Sequence, residues 1–242
     1  MKIGITERGD AGLDFGWMDK MRSVDGAIII SKHLSDDLID ALSIYHDRVI
    51  FHCTCTGYGG TRLEPNVPSF EQTHEQLFKL IDRGFDPERI VLRVDPIIPT
   101  EKGLRAFAKA VVLAPNKIKR VRISVLDMYP HVKERFAKLG LPDPYNGNFQ
   151  ASDAQFAVLN EFIVEGLYPF TFEACAEPLL GNPNVIQTGC VSERDLELLG
   201  IPLTEAKQGG YQRKDCLCVA NKTELLSEKH QCSHKCAYCY WK

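Results

Sequence analysis

The sequence contains no hydrophobic run long enough to cross a membrane and no large excess of either charge. None of its apolar stretches approaches the roughly 20 residues of a membrane-spanning helix. The start, Met-Lys-Ile-Gly-Ile-Thr-Glu-Arg, lacks the apolar segment of a signal peptide. Its 29 Lys and Arg against 32 Asp and Glu give a net charge of −3, which does not indicate nucleic-acid or membrane binding by the chain as a whole. We therefore expect a cytoplasmic protein without a membrane partner.

The composition is that of an ordinary folded domain. The chain has 242 residues, of which 44% are hydrophobic and 25% charged, and α/β barrels of this length form single domains. It has nine cysteines, an odd number that argues against complete pairing in disulfides. In a reducing compartment, clustered cysteines of a chain this long more often serve metal binding or redox chemistry.

Short apolar runs alternate with amphipathic stretches, which is the pattern of repeated βα units and a parallel sheet. The runs are nearly continuously apolar, as in strands covered on both faces. We predict an α/β fold, a complete or partial TIM-like barrel, with a doubly wound open sheet as the alternative. The predicted strands are Lys2–Thr6, Ala27–Ser31, Arg48–Cys53, Arg89–Val94, Arg120–Leu126 and Phe170–Cys175.

Predicted helices fill the intervals between these strands. Ser69 with Gln72, and Ser152 with Gln155, form two capping boxes ahead of apolar residues at helical spacing. Gly84 and Gly166 follow where the two helices should end. Further helices are predicted at about Ser35–Tyr45, Glu101–Ala114, His131–Lys138 and Ser192–Leu199.

The C-terminal segment differs from the rest. We divide the chain into a (βα) core at 1–201 and an irregular arm at 202–242 that holds five of the nine cysteines and closes over the carboxyl ends of the strands. About 40 residues need a metal or outside packing to stay folded, so both parts are expected to form one unit. From Lys207 onward there are seven Lys or Arg against three acidic residues. These basic residues could form a solvated face or bind phosphate or nucleic acid.

The end of the arm carries three closely spaced thiols, Cys232, Cys236 and Cys239, with Tyr238 just before the third. Three thiolates can hold three irons of a 4Fe-4S cluster and leave the fourth iron open. A structural zinc site would need a fourth ligand, either His234 or an upstream cysteine. Inert free thiols are the third alternative.

Polar side chains at the carboxyl ends of parallel strands are the first candidates for an active site. Arg93 and Asp95 alternate onto one face of a strand, where they could bind the charged end of a cofactor or form a structural ion pair. The candidate catalytic residues are Cys53, Asp95 and Glu173, with Cys53 either a thiol hydrogen donor or a core residue. The candidate cofactor-binding residues are Lys32, Thr56, Gly57, Arg93, Ser124 and Tyr238.

Four other cysteines could form a second site. Cys216-Leu-Cys218 is a tight pair, while Cys175 and Cys190 end or follow predicted core elements. Together they could bind zinc or a second iron-sulfur cluster that pins the arm to the core. The alternative for Cys175 and Cys190 is burial as small hydrophobic residues.

Taken together, these motifs resemble an uncharacterised family of unknown function with radical-SAM-like cysteines at its C-terminus. More distantly, the organisation is similar to spore photoproduct lyase and its relatives, which act on thymine in DNA. The segments that carry the resemblance are Thr54-Cys-Thr-Gly-Tyr-Gly, Arg93-Val-Asp-Pro, Val121–Tyr129, Glu173-Ala-Cys-Ala-Glu177, Gly189-Cys190, Gln212–Cys218 and the terminal cysteines.

The resemblance implies a radical S-adenosylmethionine (radical SAM) enzyme. Cys232, Cys236 and Cys239 would hold the 4Fe-4S cluster, with Tyr238 beside the adenine of S-adenosylmethionine. It also implies a reducing donor of the flavodoxin or ferredoxin type and a 5′-deoxyadenosyl radical that abstracts hydrogen. The substrate would be small and polar or nucleotide-like, with a modified DNA base as one form. Familiar members carry these cysteines after the first strand, so here the arm must swing back over the barrel.

Two other functions remain open at the level of sequence. The chain could be a zinc-stapled protein that binds a ligand in a barrel pocket without radical chemistry. It could also be a thiol redox sensor, which would have exposed cysteines of low pKa and no bound metal.

Overall fold

A computed structural model describes residues 2–166, 169–205, 216–226 and 232–241 of the chain. Eight strands form one sheet in the order β7-β6-β5-β4-β3-β2-β1-β8, and every neighbouring pair is parallel. The predicted α/β class is therefore confirmed. The strands are β1 Ile3–Ile5, β2 Gly26–Ser31, β3 Val49–Thr54, β4 Ile90–Ile97, β5 Arg120–Val125, β6 Thr171–Cys175, β7 Val185–Thr188 and β8 Lys222–Glu224.

All six predicted strands are present, because each is an apolar run buried on both faces. Strand β3, for example, is buried at every position. From β1 to β7 the strands follow one another in chain order, and β8 pairs with the outer side of β1. Within the described ranges β7 and β8 are the two edges of the sheet and do not pair with each other.

Seven helices are described, and the predicted helical segments are all among them. Both predicted capping boxes form, at Ser69–Gln72 and at Ser152–Gln155, and Ser192 with Asp195 forms a third. The helices are α1 Trp17–Lys20, α2 Asp36–Ile44, α3 Phe70–Asp82, α4 Glu101–Val112, α5 Pro130–Lys138, α6 Asp153–Glu165 and α7 Glu193–Leu198. None of these is long and apolar enough to cross a membrane.

The sheet separates two hydrophobic cores. On one face, strand residues such as Phe51 and Leu92 pack in a large cluster with apolar side chains of α2, α3, α4, α5 and α6. On the other face, Ile28, Ile50 and their neighbours pack with Leu196 of α7 and with Ala220. Because side chains alternate along a strand, the central strands β2, β3 and β4 contribute to both cores. The second face is therefore covered by α7 and the returning C-terminal segment.

The C-terminal arm is less irregular than predicted, because it contributes β8. Strand β8 is a polar Lys-Thr-Glu segment that no apolar pattern marks. It is held by the Leu225 amide donating to the Ile5 carbonyl at 2.8 Å and by Lys222, whose Nζ lies 2.9 Å from both Glu7 carboxylate oxygens. The arm thus joins the sheet directly.

Candidate functional site

Parallel strands all end at one edge of the sheet, and several predicted site residues meet there. Arg93 and Asp95 of β4 form an ion pair, and Ser124 of β5 donates a hydrogen bond to the other carboxylate oxygen of Asp95. The structure therefore brings together three of the predicted residues. They form a polar cluster whose arginine and carboxylate side chains keep 16% and 28% of their surface exposed. That partial exposure leaves the cluster accessible to a ligand.

The terminal motif docks onto this edge through Tyr238. Lys32, which follows β2, places its Nζ 2.8 Å from Glu64 Oε1 and 2.9 Å from the Tyr238 hydroxyl. The Tyr238 hydroxyl also donates to Glu64, and Thr56 bonds to the same pair. Burial opposes ionisation of Glu64, but the charge of Lys32 outweighs it and holds the pKa of Glu64 below its ordinary value. The predicted Lys32, Thr56 and Tyr238 thus share one network, centred on Glu64.

A second contact holds the arm through His234. Its Nε2 lies 2.8 Å from Asp10 Oδ2, and its Nδ1 lies 3.0 Å from the Asn66 carbonyl oxygen. The Asn66 amide in turn donates to the Ser233 carbonyl at 2.6 Å. Both ring nitrogens of His234 are therefore engaged, and neither is left to complete a zinc site with the terminal cysteines.

The three terminal thiols lie close to one another at this docked segment. Burial raises the pKa of Cys236 to about 12, and Cys239 and Cys232 add to that shift. Burial also raises the pKa of Cys232. Within the described ranges, no group of three or more His, Cys, Asp or Glu side chains is arranged to hold a metal ion.

The other four predicted cysteines also come together. Cys175 Sγ lies 3.7 Å from Cys190 Sγ, and Cys216 Sγ lies 3.3 Å from Cys218 Sγ. Cys190 and Cys218 contact each other as well. The four thiols thus form a continuous group, separate from the terminal three.

Glu173 lies in a buried network of ion pairs, and its catalytic role stays a prediction. It accepts hydrogen bonds from Arg120 Nε at 2.8 Å and from Arg122 Nε at 3.0 Å, and only 6% of the residue is exposed. Arg120 Nη2 also bonds to Asp195 at 2.8 Å. Both carboxylate oxygens of Glu173 are occupied by arginines, so the residue belongs to a buried ion network. Asp195 was missed as its partner, although it is the third residue of a capping box.

Two further predicted residues have packing roles. Cys53 is fully buried in the helix-covered core with residues such as Phe51, which is the position expected of a core residue, and its role as a hydrogen donor stays a prediction. Gly57 has φ +78°, and a Cβ there would lie 2.3 Å from the Ala106 carbonyl oxygen. Glycine at this position is therefore required for α4 to approach the loop after β3, rather than for a bound cofactor.

His52 is a buried residue whose chemistry the sequence did not mark. Neither ring nitrogen has a hydrogen-bond partner among the described residues. Burial lowers its pKa well below the ordinary value, the charges of Arg122, Arg93 and Arg120 add to this, and Asp195 opposes it. His52 is therefore neutral, and it lies on the face of β3 opposite to Cys53.

The comparison with known proteins places nearly the whole chain in one family. Residues 18–241 match the family described as Domain of unknown function (DUF1848). No curated protein and no solved structure matches the chain significantly. The match covers β2 to β8, both cysteine groups and, of the residues that dock the arm, Lys32 and Glu64 but not Asp10. The chain therefore belongs to the DUF1848 family.

Proposed function

We propose that this protein is a radical SAM enzyme whose Cys232, Cys236 and Cys239 hold a 4Fe-4S cluster. The observation that supports the proposal is the docking of Tyr238, which lies between Cys236 and Cys239 in the chain, onto Lys32 and Glu64 at the carboxyl edge of a parallel sheet. Active sites of parallel α/β barrels lie at the carboxyl edge of the sheet, so a cysteine motif at the end of the chain has to fold back to that edge.

The strand order supports the barrel part of this proposal. A doubly wound sheet reverses its order at a switch point, whereas here β1 to β7 run in chain order. Helices α2, α3, α4, α5 and α6 contribute to the core on one face, as on the outside of a barrel. We therefore infer a TIM-like barrel, complete or partial, with β7 and β8 on either side of its seam.

The residues present fit the cluster and its cofactor. Both nitrogens of His234 are bonded to Asp10 and Asn66, so among the described residues this histidine is not free to add a fourth ligand to the three thiols. Cys232, Cys236 and Cys239 would hold three irons and leave the fourth for the amino and carboxylate groups of S-adenosylmethionine. When bound and reduced by a flavodoxin- or ferredoxin-type donor, this pair supplies a 5′-deoxyadenosyl radical that abstracts a substrate hydrogen.

The protein's own residues position the ligands of this site. Glu64 fixes Tyr238 and Lys32 in one buried hydrogen-bonded set, which holds the segment between Cys236 and Cys239 in place. Asp95 pairs with Arg93 and accepts a hydrogen bond from Ser124, and this set would meet the amino and carboxylate groups of the cofactor. A small polar or nucleotide-like substrate would meet charged partners at this edge.

Anaerobic reconstitution with iron and sulfide tests the proposal. We expect a brown protein with about four irons per chain at this site, absorbance that is lost in Cys236→Ala, and 5′-deoxyadenosine formed from S-adenosylmethionine on reduction. Cys53→Ala is the matched control, because Cys53 is a fully buried cysteine outside the terminal motif and its loss should leave the chromophore intact. A protein that binds only zinc and never cleaves S-adenosylmethionine would refute the proposal.

A more specific proposal is that the substrate is a base in DNA or in a nucleotide. Of the seven basic residues counted in the arm, Lys207, Arg213, Lys214, Lys229 and Lys242 lie outside the described residues. Binding to an oligonucleotide that weakens steeply with salt would support this form. Absence of binding at low salt would exclude it and leave the small-molecule form.

A second function follows from the other cysteine group. A zinc-stapled protein that binds a ligand in a barrel pocket would use Cys175, Cys190, Cys216 and Cys218, whose sulfurs are in contact. It would contain zinc but no sulfide and would not cleave S-adenosylmethionine. Metal and sulfide counts on freshly purified protein separate the two functions.

A further inference from the structure

We propose that Cys175, Cys190, Cys216 and Cys218 bind one tetrahedral ion of the zinc(II) class, and that this ion ties together the two edges of the sheet. The proposal does not depend on radical SAM chemistry, because it uses none of the terminal cysteines. It concerns a different part of the fold, where the chain leaves β7 and later enters β8.

The sulfur distances favour a single ion over a cluster. Zinc–sulfur bonds of about 2.3 Å in a tetrahedron separate the sulfurs by about 3.8 Å. The Cys175–Cys190 pair lies at 3.7 Å and the Cys216–Cys218 pair at 3.3 Å, with Cys190 and Cys218 also in contact. A 4Fe-4S cluster would hold its cysteine sulfurs further apart.

The thiols form a chain of contacts and do not yet enclose an ion. No metal-holding group of three or more such side chains is formed in the described ranges. Thiols in contact share S–H hydrogens, whereas an ion binds thiolates and releases those protons. Binding an ion would therefore require the four side chains to rearrange around it and to lose their S–H protons.

The backbone around the thiols is built for this contact. A Cβ on Gly189 would lie 2.4 Å from the Cys218 amide nitrogen and 2.6 Å from the Leu217 carbonyl carbon, so only glycine allows the approach. The Val219 amide also donates to the Val191 carbonyl at 3.1 Å. The Cys-Leu-Cys segment is therefore fixed against the turn that carries Cys190 by main-chain packing, independently of the sulfurs.

The four cysteines come from segments that meet the two edges of the sheet. Cys175 ends β6, Cys190 follows β7, and Cys216 and Cys218 precede β8. Because β7 and β8 are opposite edges, an ion shared by these thiols would link them. The ion would then join β7 to β8, as backbone hydrogen bonds join the other neighbouring strands.

Three cationic side chains lie near Cys190, and each is already paired with a carboxylate. Lys222 pairs with Glu7, Arg93 with Asp95 and Arg122 with Glu173. Lys222 and Arg93 act on Cys190 electrostatically, and Arg122 Nη1 donates to the Cys190 carbonyl at 3.1 Å. Four thiolates with one zinc would carry a charge of about −2, which these paired cations would offset in part.

The experiment uses the full chain with Cys232→Ala, Cys236→Ala and Cys239→Ala, so that the terminal cluster cannot contribute. After anaerobic purification and dialysis against a chelator, zinc, iron and acid-labile sulfide are counted. We expect about one ion per chain and no sulfide. Cys190→Ser or Cys218→Ser in this background should lower the ion count at least tenfold, while Cys53→Ser leaves it unchanged.

X-ray absorption at the metal edge of the same full chain supplies a measurement that needs no further substitution. We expect about four sulfur neighbours at about 2.3 Å. Absence of a retained ion, retention in folded Cys190→Ser protein, or labile sulfide would each overturn the proposal. A Cys175–Cys190 disulfide found by mass spectrometry in place of the ion would also overturn it.

Discussion

Glu64 is the residue whose replacement should release the docked arm with the least change of shape. Its carboxylate bonds Lys32 and Tyr238 and keeps 1% of its surface exposed, against 16% for Lys32. Glu64→Gln preserves the size of the side chain but removes its charge. The Lys32 ammonium then stays buried without its counter-ion.

The expected cost follows from that burial. Removing one partner of a buried ion pair costs about 3–5 kcal/mol, because the remaining charge is uncompensated. Tyr238→Phe removes only a hydroxyl bonded to a charged group, which costs about 1.5–3 kcal/mol. Glu88→Gln is the matched control, because its pair with Arg194 is 44–47% exposed and contributes at most about 1 kcal/mol.

Amide hydrogen exchange at Ala237 measures the effect where it should occur. The Ala237 amide donates to the Leu63 carbonyl at 2.9 Å and is protected only while the arm is docked. A loss of 3 kcal/mol speeds its exchange by more than about 100-fold. Tyr238→Phe should give a smaller increase and Glu88→Gln none. If Glu64→Gln changes Ala237 exchange by less than threefold, the buried network does not hold the arm and our reasoning is wrong.

Three further predictions concern the rest of the sheet. His52 stays neutral in the folded protein, because burial lowers its pKa well below the ordinary value of about 6.5. As the pH falls below about 6.5, the unfolded chain binds a proton that the folded protein does not, so the free energy of unfolding falls by up to about 1.4 kcal/mol per pH unit. His52→Leu should flatten this slope in urea titrations at pH 5–7. Glu173→Gln should cost about 3–5 kcal/mol in the same assay, because it leaves Asp195 as the only carboxylate paired with the two buried arginines Arg120 and Arg122 among the described residues, and a lost activity with unchanged stability would instead support catalysis. Gly189→Ala should reduce the amount of zinc retained, because the added Cβ would collide with the Cys218 backbone. Gly181→Ala is the control and should retain the zinc, because the nearest atom to its added Cβ is the Pro178 carbonyl oxygen at 3.6 Å.

The fold was largely predictable because its strands carry the pattern themselves. Runs such as Val49–Phe51 are apolar at every position, and the helices begin at capping boxes that can be read directly. Strand β8 could not be predicted, since Lys-Thr-Glu has no apolar face and is held by Glu7 from the other end of the chain. A contact between segments far apart in the chain produces no periodic pattern in the sequence from which a strand could be predicted.

The candidate site was predictable only in part, for the same reason. Arg93 and Asp95 are two residues apart on one strand, so their pairing follows from strand geometry. Glu64 and Asp10, which hold the arm, lie in loops whose positions depend on the whole fold. His234 was considered as a zinc ligand, because a histidine among cysteines looks the same in sequence whether it binds a metal or a carboxylate.

The two cysteine groups depend on one another through β8, which lies between them in the chain. Strand β8 pairs with β1 over three residues, and each net backbone hydrogen bond contributes only about 0.5–1.5 kcal/mol. Ordering the chain on either side costs roughly 1–2 kcal/mol per residue. Pairing alone therefore cannot hold the segment, which needs the contact of Gly189 with Cys218 before the strand and that of Glu64 with Tyr238 after it. Metal binding at Cys190 and docking at Tyr238 should thus stabilise each other, although they share no ligand.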